Sequence, residues 1–372
     1  MPVETRAAVL RAFNAPMEIE PVRLRDPGPG EVLVRIVAAG VCHSDVGQAD
    51  GEWDHVLPVV LGHEGAGVVQ AVGDGVAGLQ PGDRVLLHLA PGCGTCVHCD
   101  VGRPIRCQEQ LDAMGRAALT TGPSPIEGDG GTIGAYSLLA CFAEHAVVAA
   151  RSVIPLPAGV PADVAALIGC AVITGLGAAI ETIDIAAGSR GAVIGAGGVG
   201  VNAIQGARVR GAAEIFAIDP VAGRREQAGG FGATSALDPG QASELVSSAP
   251  RDGFDWTLVT VGNGEAMRLG VDLLRPGGTA CIVGLAPQDA PVGIDMLELV
   301  TYERRIVGSA YGSITPQRLV PRILRLYLEG RIVLDDLVSE RLPLEQINAA
   351  FDHSRHAEGM RPVLRPSPDD VW

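Results

Sequence analysis

Apolar residues alternate with polar or small ones along Glu31–Ala38, Gly65–Val72 and Asp83–Leu89, and Pro81, Gly82 and Asp83 make a turn between the last two. Period-two patterning broken by closely spaced turn signals predicts a β-rich first 150 residues. From about Val160 the period changes. Ala162–Ile180 reads as a helix, Ala192–Gly195 as a short apolar strand and Val199–Arg210 as a second helix. Glu214–Asp219, Trp256–Val261 and Thr279–Val283 read as further strands, with a helical stretch at Gly264–Leu274. Such α/β alternation predicts a parallel sheet covered on both faces. It ends near Ile306–Ala310. A helix at Pro316–Gly330 follows, and the tail is free to return to the first domain. Glu109–Gly134 is expected to be a long turn-rich segment, and Pro366, Ser367 and Pro368 to mark a frayed terminus.

Composition narrows the function. A chain of 372 residues suits two domains, and 47% hydrophobic against 19% charged residues supports a sizeable core. A formal net charge of −15 argues against a surface for nucleic acid. All basic residues are Arg; without Lys, Schiff-base and P-loop chemistry are excluded. The uncharged run Val164–Ile180 is short for a membrane span and reads as a core helix. Met1–Leu10 lacks a signal-peptide apolar stretch, so a cytoplasmic protein is expected. Half of the eight cysteines crowd into Cys93–Cys107, which favours metal binding over cross-linking.

Three motifs carry chemistry. Cys93, Cys96, Cys99 and Cys107, spaced C-x2-C-x2-C-x7-C among Gly92, Gly94 and Gly102, can wrap one tetrahedral ion in a closed, structural site. Zinc is the first choice and an iron–sulfur cluster the rival. Cys42, His63 and the more distant Cys170 could hold a second zinc with one position left open; Cys141 and Cys281 read as core residues. Gly195, Gly197 and Gly200 form G-x-G-x-x-G between a short strand and a helix, with Gly198 and Val199 inside the loop. Asp219 closes the next strand, where it can accept bonds from both adenosine ribose hydroxyls. It would repel a 2′-phosphate, so NAD is favoured, while Arg224 and Arg225 keep NADP open.

VCHSD, GHEGAG, PGDRV, the four-Cys lobe, IGCAV, GAGGVG and MRPV, in this order along essentially the whole chain, resemble the zinc-dependent medium-chain alcohol dehydrogenases. The resemblance implies a GroES-like catalytic domain of residues 1–171 and 310–372, with a zinc lobe at about 92–108. A Rossmann NAD-binding domain of residues 172–309 would be inserted into it. It implies that Cys42, His63 and Cys170 ligate the catalytic zinc beside Glu64, that Asp45 sets the His63 tautomer, and that Ser44 takes the alcohol proton and passes it to the nicotinamide ribose. His43 and Arg361 would hold the pyrophosphate, and Thr174 and Val199 would back the nicotinamide. Trp53, Leu89 and Tyr136 would wall the substrate pocket.

Many relatives end the proton relay with a His five residues after the first zinc Cys; here that residue is Gly47, so His55 or a water would replace it. The expected substrate is an apolar aromatic or aliphatic alcohol or aldehyde. A formaldehyde–thiol adduct is the runner-up, and a non-catalytic zinc-stabilised binding protein the alternative of another class. The long segment before Cys170 and an edge strand at Ile306–Ala310 lead to an expected homodimer.

Overall fold

The structure is a computed structural model that describes residues 2–247, 252–356, 359–367 and 372; Pro368 lies outside them. The chain divides into two compact units. One comprises Met1–Cys170, Thr315–Glu329 and Val333–Trp372, the other Ala171–Ile314 and Gly330–Ile332.

The first unit is built from two β layers. Strands Val3–Leu10 and Glu18–Leu24 pair antiparallel, and the hairpin Ile126–Gly128/Gly131–Ala135 and the short strand Val59–Val60 complete a closed barrel. Alternate residues point inward, and Val9, Val22, Leu24, Leu33, Ile126 and Ile133 share one buried cluster. Burying each such side chain contributes about 1.5–3 kcal/mol. The second sheet runs Val153–Pro155, Arg84–Leu87, Glu64–Val72, Glu31–Gly40, Arg361–Arg365, Val338–Pro343, with His145–Ala149 also paired to Glu31–Gly40. Its register sets Gly40 opposite both Glu64 and Val363. That puts the ends of two strands beside the middle of a third.

Two expectations for this unit are corrected. The stretch after Cys107 is not a turn-rich loop throughout. Gln108–Gly115 is an α-helix whose buried Gln110 accepts a bond from the Gly92 amide at 2.8 Å. The hairpin then turns on Gly130 and Gly131 at φ +101° and +115°, values open chiefly to glycine. The tail is not frayed at Ser367, which is buried, and Trp372 donates its indole N–H to the Val160 carbonyl at 3.1 Å. Short helices His43–Ala49 and Val97–Asp100 also interrupt the β pattern.

The second unit is a six-stranded parallel sheet. Its order is Ser235–Leu237, Glu214–Ile218, Arg190–Ile194, Phe254–Val259, Leu274–Ile282, Arg305–Gly308. Numbered along the chain that is 3-2-1-4-5-6, the doubly wound Rossmann order. The predicted strands and the helices Gly198–Arg210 and Gly264–Asp272 all form. Packing between the first and fourth strands is close. A Cβ on Gly191 would meet the Trp256 ring at 2.1 Å.

The apolar helix spanning 162–182 is long and apolar enough by length and composition to cross a membrane, yet 89% of its most apolar window is buried inside the protein. Its α-geometry widens into π turns at Ile168–Val172 and Ala178–Thr182. The first of these carries Cys170, and such turns recur at functional sites.

A Cβ on Gly200 would lie 1.8 Å from the Gly195 carbonyl oxygen. Gly200→Ala should therefore force the helix off the strand and destabilise the Rossmann unit by about 3 kcal/mol. Differential scanning calorimetry should show a clear drop in melting temperature, and fluorescence titration weakened NAD binding.

Candidate active site and metal centres

The Sγ atoms of Cys93, Cys96, Cys99 and Cys107 all lie within 4.8 Å of one another, with Cys96 and Cys99 at 3.6 Å. Four thiolates around one zinc sit about 3.8 Å apart, so the set fits the ion. The backbone is already arranged for thiolates. The amides of Cys93, Gly94 and Thr95 point at Cys107, Cys99 and Cys93 Sγ at 3.3, 3.4 and 3.4 Å. Gly92 and Gly94 take φ +60° and +84° to permit it, and a Cβ on Gly92 would press on Cys99 Sγ at 2.5 Å. Hydrogen bonds from the Thr95 hydroxyl and amide bring the Cys93 thiol down to about 6, whereas burial pushes Cys99 up to about 11.

The second set joins residues far apart in sequence. Ligand atoms of Cys42, His63, Glu64 and Cys170 also fall within 4.8 Å of one another. Cys42 is the N-cap of helix His43–Ala49, His63 immediately precedes the strand that Glu64 begins, and Cys170 comes from the π turn. Gly62, at φ +93°, lets the chain turn into His63; a Cβ there would meet Phe142 at 2.7 Å.

One buried carboxylate ties these pieces together. Asp45 accepts from the Cys42 amide at 3.1 Å, the Gly62 amide at 3.1 Å and His63 Nδ1 at 2.9 Å. Its bond to Nδ1 leaves Nε2 to face the thiols. Burial disfavours a charged His63, but the charge and hydrogen bond of Asp45 outweigh it and hold the ring well above its ordinary value. Hydrogen bonding between the two buried thiols drives Cys42 well down and Cys170 well up. Two thiols and an imidazole, all buried, are the donor set of an open-sited zinc.

Ser44 donates its hydroxyl to Cys42 Sγ at 3.2 Å and stands 3.4 Å from His63 Nε2. Glu64 is buried; desolvation lifts its carboxyl to about 7 against the opposing charge of Arg361. Arg361 was expected on the cofactor pyrophosphate. Its side chain is buried, donates to the Val41 carbonyl at 3.0 Å and stands 3.7 Å from Glu64 Oε1. Gly40 makes room for that carboxylate: a Cβ there would lie 2.1 Å from Glu64 Oε2. Nothing in the local sequence signals Gly40, because its role follows from strand register.

Tyr136 stands edge-on to His63, with ring centroids 5.8 Å apart, and to His55 at 5.3 Å. Burial raises its phenol. It opens a segment in which Ser137, Leu138 and Ala140 all have positive φ, costing on the order of 1 kcal/mol or more each. Leu89 is buried and Trp53 half-buried, and His43 is exposed.

In the Rossmann unit, Gly195 turns at φ +92° and Gly197 leaves open space, its nearest neighbour being the Arg224 guanidinium at 3.8 Å. Gly198 opens the helix. A Cβ on Gly175, next to Thr174, would meet the Val199 carbonyl at 2.1 Å, so these two segments are in close contact. Asp219 is buried and accepts from the Ala196 and Val221 amides, both at 2.8 Å. Those bonds, absent from the sequence reading, anchor the carboxylate to the glycine loop. Each oxygen keeps a lone pair for a further donor. Arg225 donates to the Asp219 and Pro220 carbonyls. The open glycine turn and anchored carboxylate fit a dinucleotide.

Residues 28–158 match the alcohol dehydrogenase GroES-like domain family, and residues 198–329 the zinc-binding dehydrogenase family. A geraniol dehydrogenase from Castellaniella defragrans is 37% identical over 97% of this chain and 98% of its own. An NDMA-dependent alcohol dehydrogenase from Amycolatopsis methanolica is 36% identical over 99% and 100%. The crystal structure of benzyl alcohol dehydrogenase from Acinetobacter calcoaceticus superposes with a TM-score of 0.92 at 30% identity, covering 98% of this chain and all of that one. The two cysteine sets, the glycine fingerprint and these full-length likenesses place the chain in the zinc-dependent medium-chain alcohol dehydrogenase family, as an enzyme that moves a hydride between an alcohol or aldehyde and NAD.

Proposed function

We propose that the substrate is an apolar alcohol, aromatic or terpenoid in size, and that the reaction runs at the Cys42–His63–Cys170 centre. The observation that carries this is the wall of the site. Tyr136 stands edge-on to His63, and Leu89 and Trp53 offer apolar surface in the same unit, with no Arg among the three to clamp a carboxylate or phosphate. The similar geraniol and benzyl alcohol dehydrogenases act on alcohols of this kind by name.

Zinc held by Cys42, His63 and Cys170 supplies Lewis acidity toward the substrate oxygen, and NAD held at the glycine loop supplies the hydride acceptor. The chain's own groups do the rest. Asp45 keeps Nδ1 of His63 protonated so that Nε2 can bind metal. Ser44, beside both Cys42 and His63, takes the substrate hydroxyl proton. Glu64 and Arg361 form a buried charge pair behind the ligands, with Arg361 holding the Val41–Cys42 backbone. His43, Thr174, Val199, Asp219 and Arg224 are the groups proposed to contact the cofactor.

Two further readings complete the proposal. The edge strand Arg305–Gly308 and the adjacent exposed Met296, Leu297 and Val300 are apolar surface suited to a second copy across a two-fold axis. All eight cysteines are free, which suits a reducing cytoplasm.

Initial rates at 340 nm across an alcohol panel should give kcat/KM for benzyl-type and terpenoid alcohols about tenfold or more above ethanol, each buried methylene being worth about 0.8 kcal/mol. Tyr136→Ala should erase much of that preference; an ethanol-preferring enzyme, or one active only on a formaldehyde–thiol adduct, would refute the assignment. Metal analysis should find two zinc ions per chain. Cys96→Ser should lose one together with thermal stability, and Cys42→Ser should lose turnover with most of the fold intact. Light scattering should return about twice 38.3 kDa, and Leu297→Asp should shift that mass to the monomer.

A further inference from the structure

The helix that carries Ser44 has an unusual neighbour one turn on. Gly47 is buried and lies three residues after Ser44, on the same face of helix His43–Ala49. Side chains on a helix lean toward its N-terminus, so the space above Gly47 opens toward Ser44. The carboxylate of Glu52 fills that space. A Cβ on Gly47 would lie 2.7 Å from Glu52 Oε2 and 3.0 Å from the Trp53 ring.

The carboxylate is held there by its backbone. Gly51, at φ +77°, reverses the chain after the helix, and its amide bonds the Gln48 carbonyl at 3.2 Å. The Glu52 amide bonds the Gly47 carbonyl at 2.9 Å, and Gln48 Nε2 donates to the Trp53 carbonyl at 3.2 Å. The loop is thereby folded back over the helix. Residues three apart on a helix are neighbours on its surface, so the Glu52 carboxylate lies over the helix face that carries Ser44, one turn away. Among the described residues Glu52 makes no ion pair, and it is only partly buried. His55, the other candidate, turns its ring to Tyr136 instead.

We propose that Glu52 is the proton acceptor of the reaction: the alcohol proton passes from Ser44 Oγ through one water to the Glu52 carboxylate and from there to solvent. The balance is complete. Oxidation of the alcohol to the carbonyl releases a hydride, which reduces NAD, and one proton, which Glu52 receives; reduction runs the same path in reverse. Glycine at 47 is what admits the carboxylate to the helix face. The proposal rests on Ser44 acting at the substrate oxygen.

The test uses the zinc- and NAD-loaded enzyme. Glu52→Gln keeps the shape that fills the gap over Gly47 and removes the acceptor. Mixing with trifluoroethanol, which binds as an alcohol but gives up hydride poorly, should release a proton seen by a pH-indicator dye. Glu52→Gln should slow that release about 100-fold without changing its amplitude, and alcohol oxidation should fall in proportion at unchanged KM. Glu52→Ala should regain much of its rate on adding imidazole, which can enter the vacated space, while Ser44→Ala should gain nothing. Proton release in Glu52→Gln at the wild-type rate would overturn the proposal, as would a loss in Glu52→Ala that imidazole does not repair. Full activity in Ser44→Ala would instead remove the assignment of Ser44, a separate result from either Glu52 outcome.

Discussion

The catalytic half of this protein hangs on the buried carboxylate of Asp45. Its two oxygens meet the Cys42 amide, the Gly62 amide and the His63 ring, three groups from two chain segments. A buried charge with fewer partners would be costly, because desolvation of a carboxylate amounts to several kcal/mol. With all three it becomes a fixed joint. It caps the helix that presents Ser44, holds the glycine turn that aims His63, and selects the tautomer that leaves Nε2 for metal. The third member of the metal-fitting set, Cys170, is delivered by a π turn whose widened backbone sits against Leu87, where a Cβ on Gly169 would meet the carbonyl at 2.4 Å.

Close backbone approach is the second constraint, and it recurs in both units. Gly200 against the Gly195 carbonyl, Gly175 against Val199 and Gly191 against Trp256 bring loop, helix and strand backbones nearer than any side chain allows. In the catalytic unit Gly40 makes the same allowance for Glu64, and Gly47 for Glu52. The glycine richness of the chain is in part the sum of such contacts. Each costs conformational entropy on folding and returns packing or a placed functional group.

The two residue sets that fit a metal ion are legible in the sequence to different degrees. Four cysteines inside 15 residues can reach one ion through local backbone geometry alone, so spacing suffices. Cys42, His63 and Cys170 meet only through the strand order of the second sheet and the packing of the apolar helix. For those the family pattern was needed, and residue spacing by itself was a weak guide. Asp219 shows the same division. Its place at the end of the second Rossmann strand followed from the strand–helix rhythm. Its bonds to the Ala196 and Val221 amides depend on which loops the parallel sheet sets side by side.

The chain by itself determined the change from period-two to strand–helix patterning, the parallel character of the second sheet, the closed four-thiol lobe and the fingerprint turn. Each of these is written in residues close together, where sterics and spacing act directly. Tertiary structure decided what depends on distant segments meeting. It turned Arg361 onto Glu64 and Val41, seated Ser367 and Trp372 against the body of the catalytic unit, and made a helix and hairpin of a stretch that reads as loop. It also laid Glu52 across the face left bare by Gly47. These outcomes rest on register and packing, in which a side chain's partner is set by the fold around it and not by its neighbours in sequence.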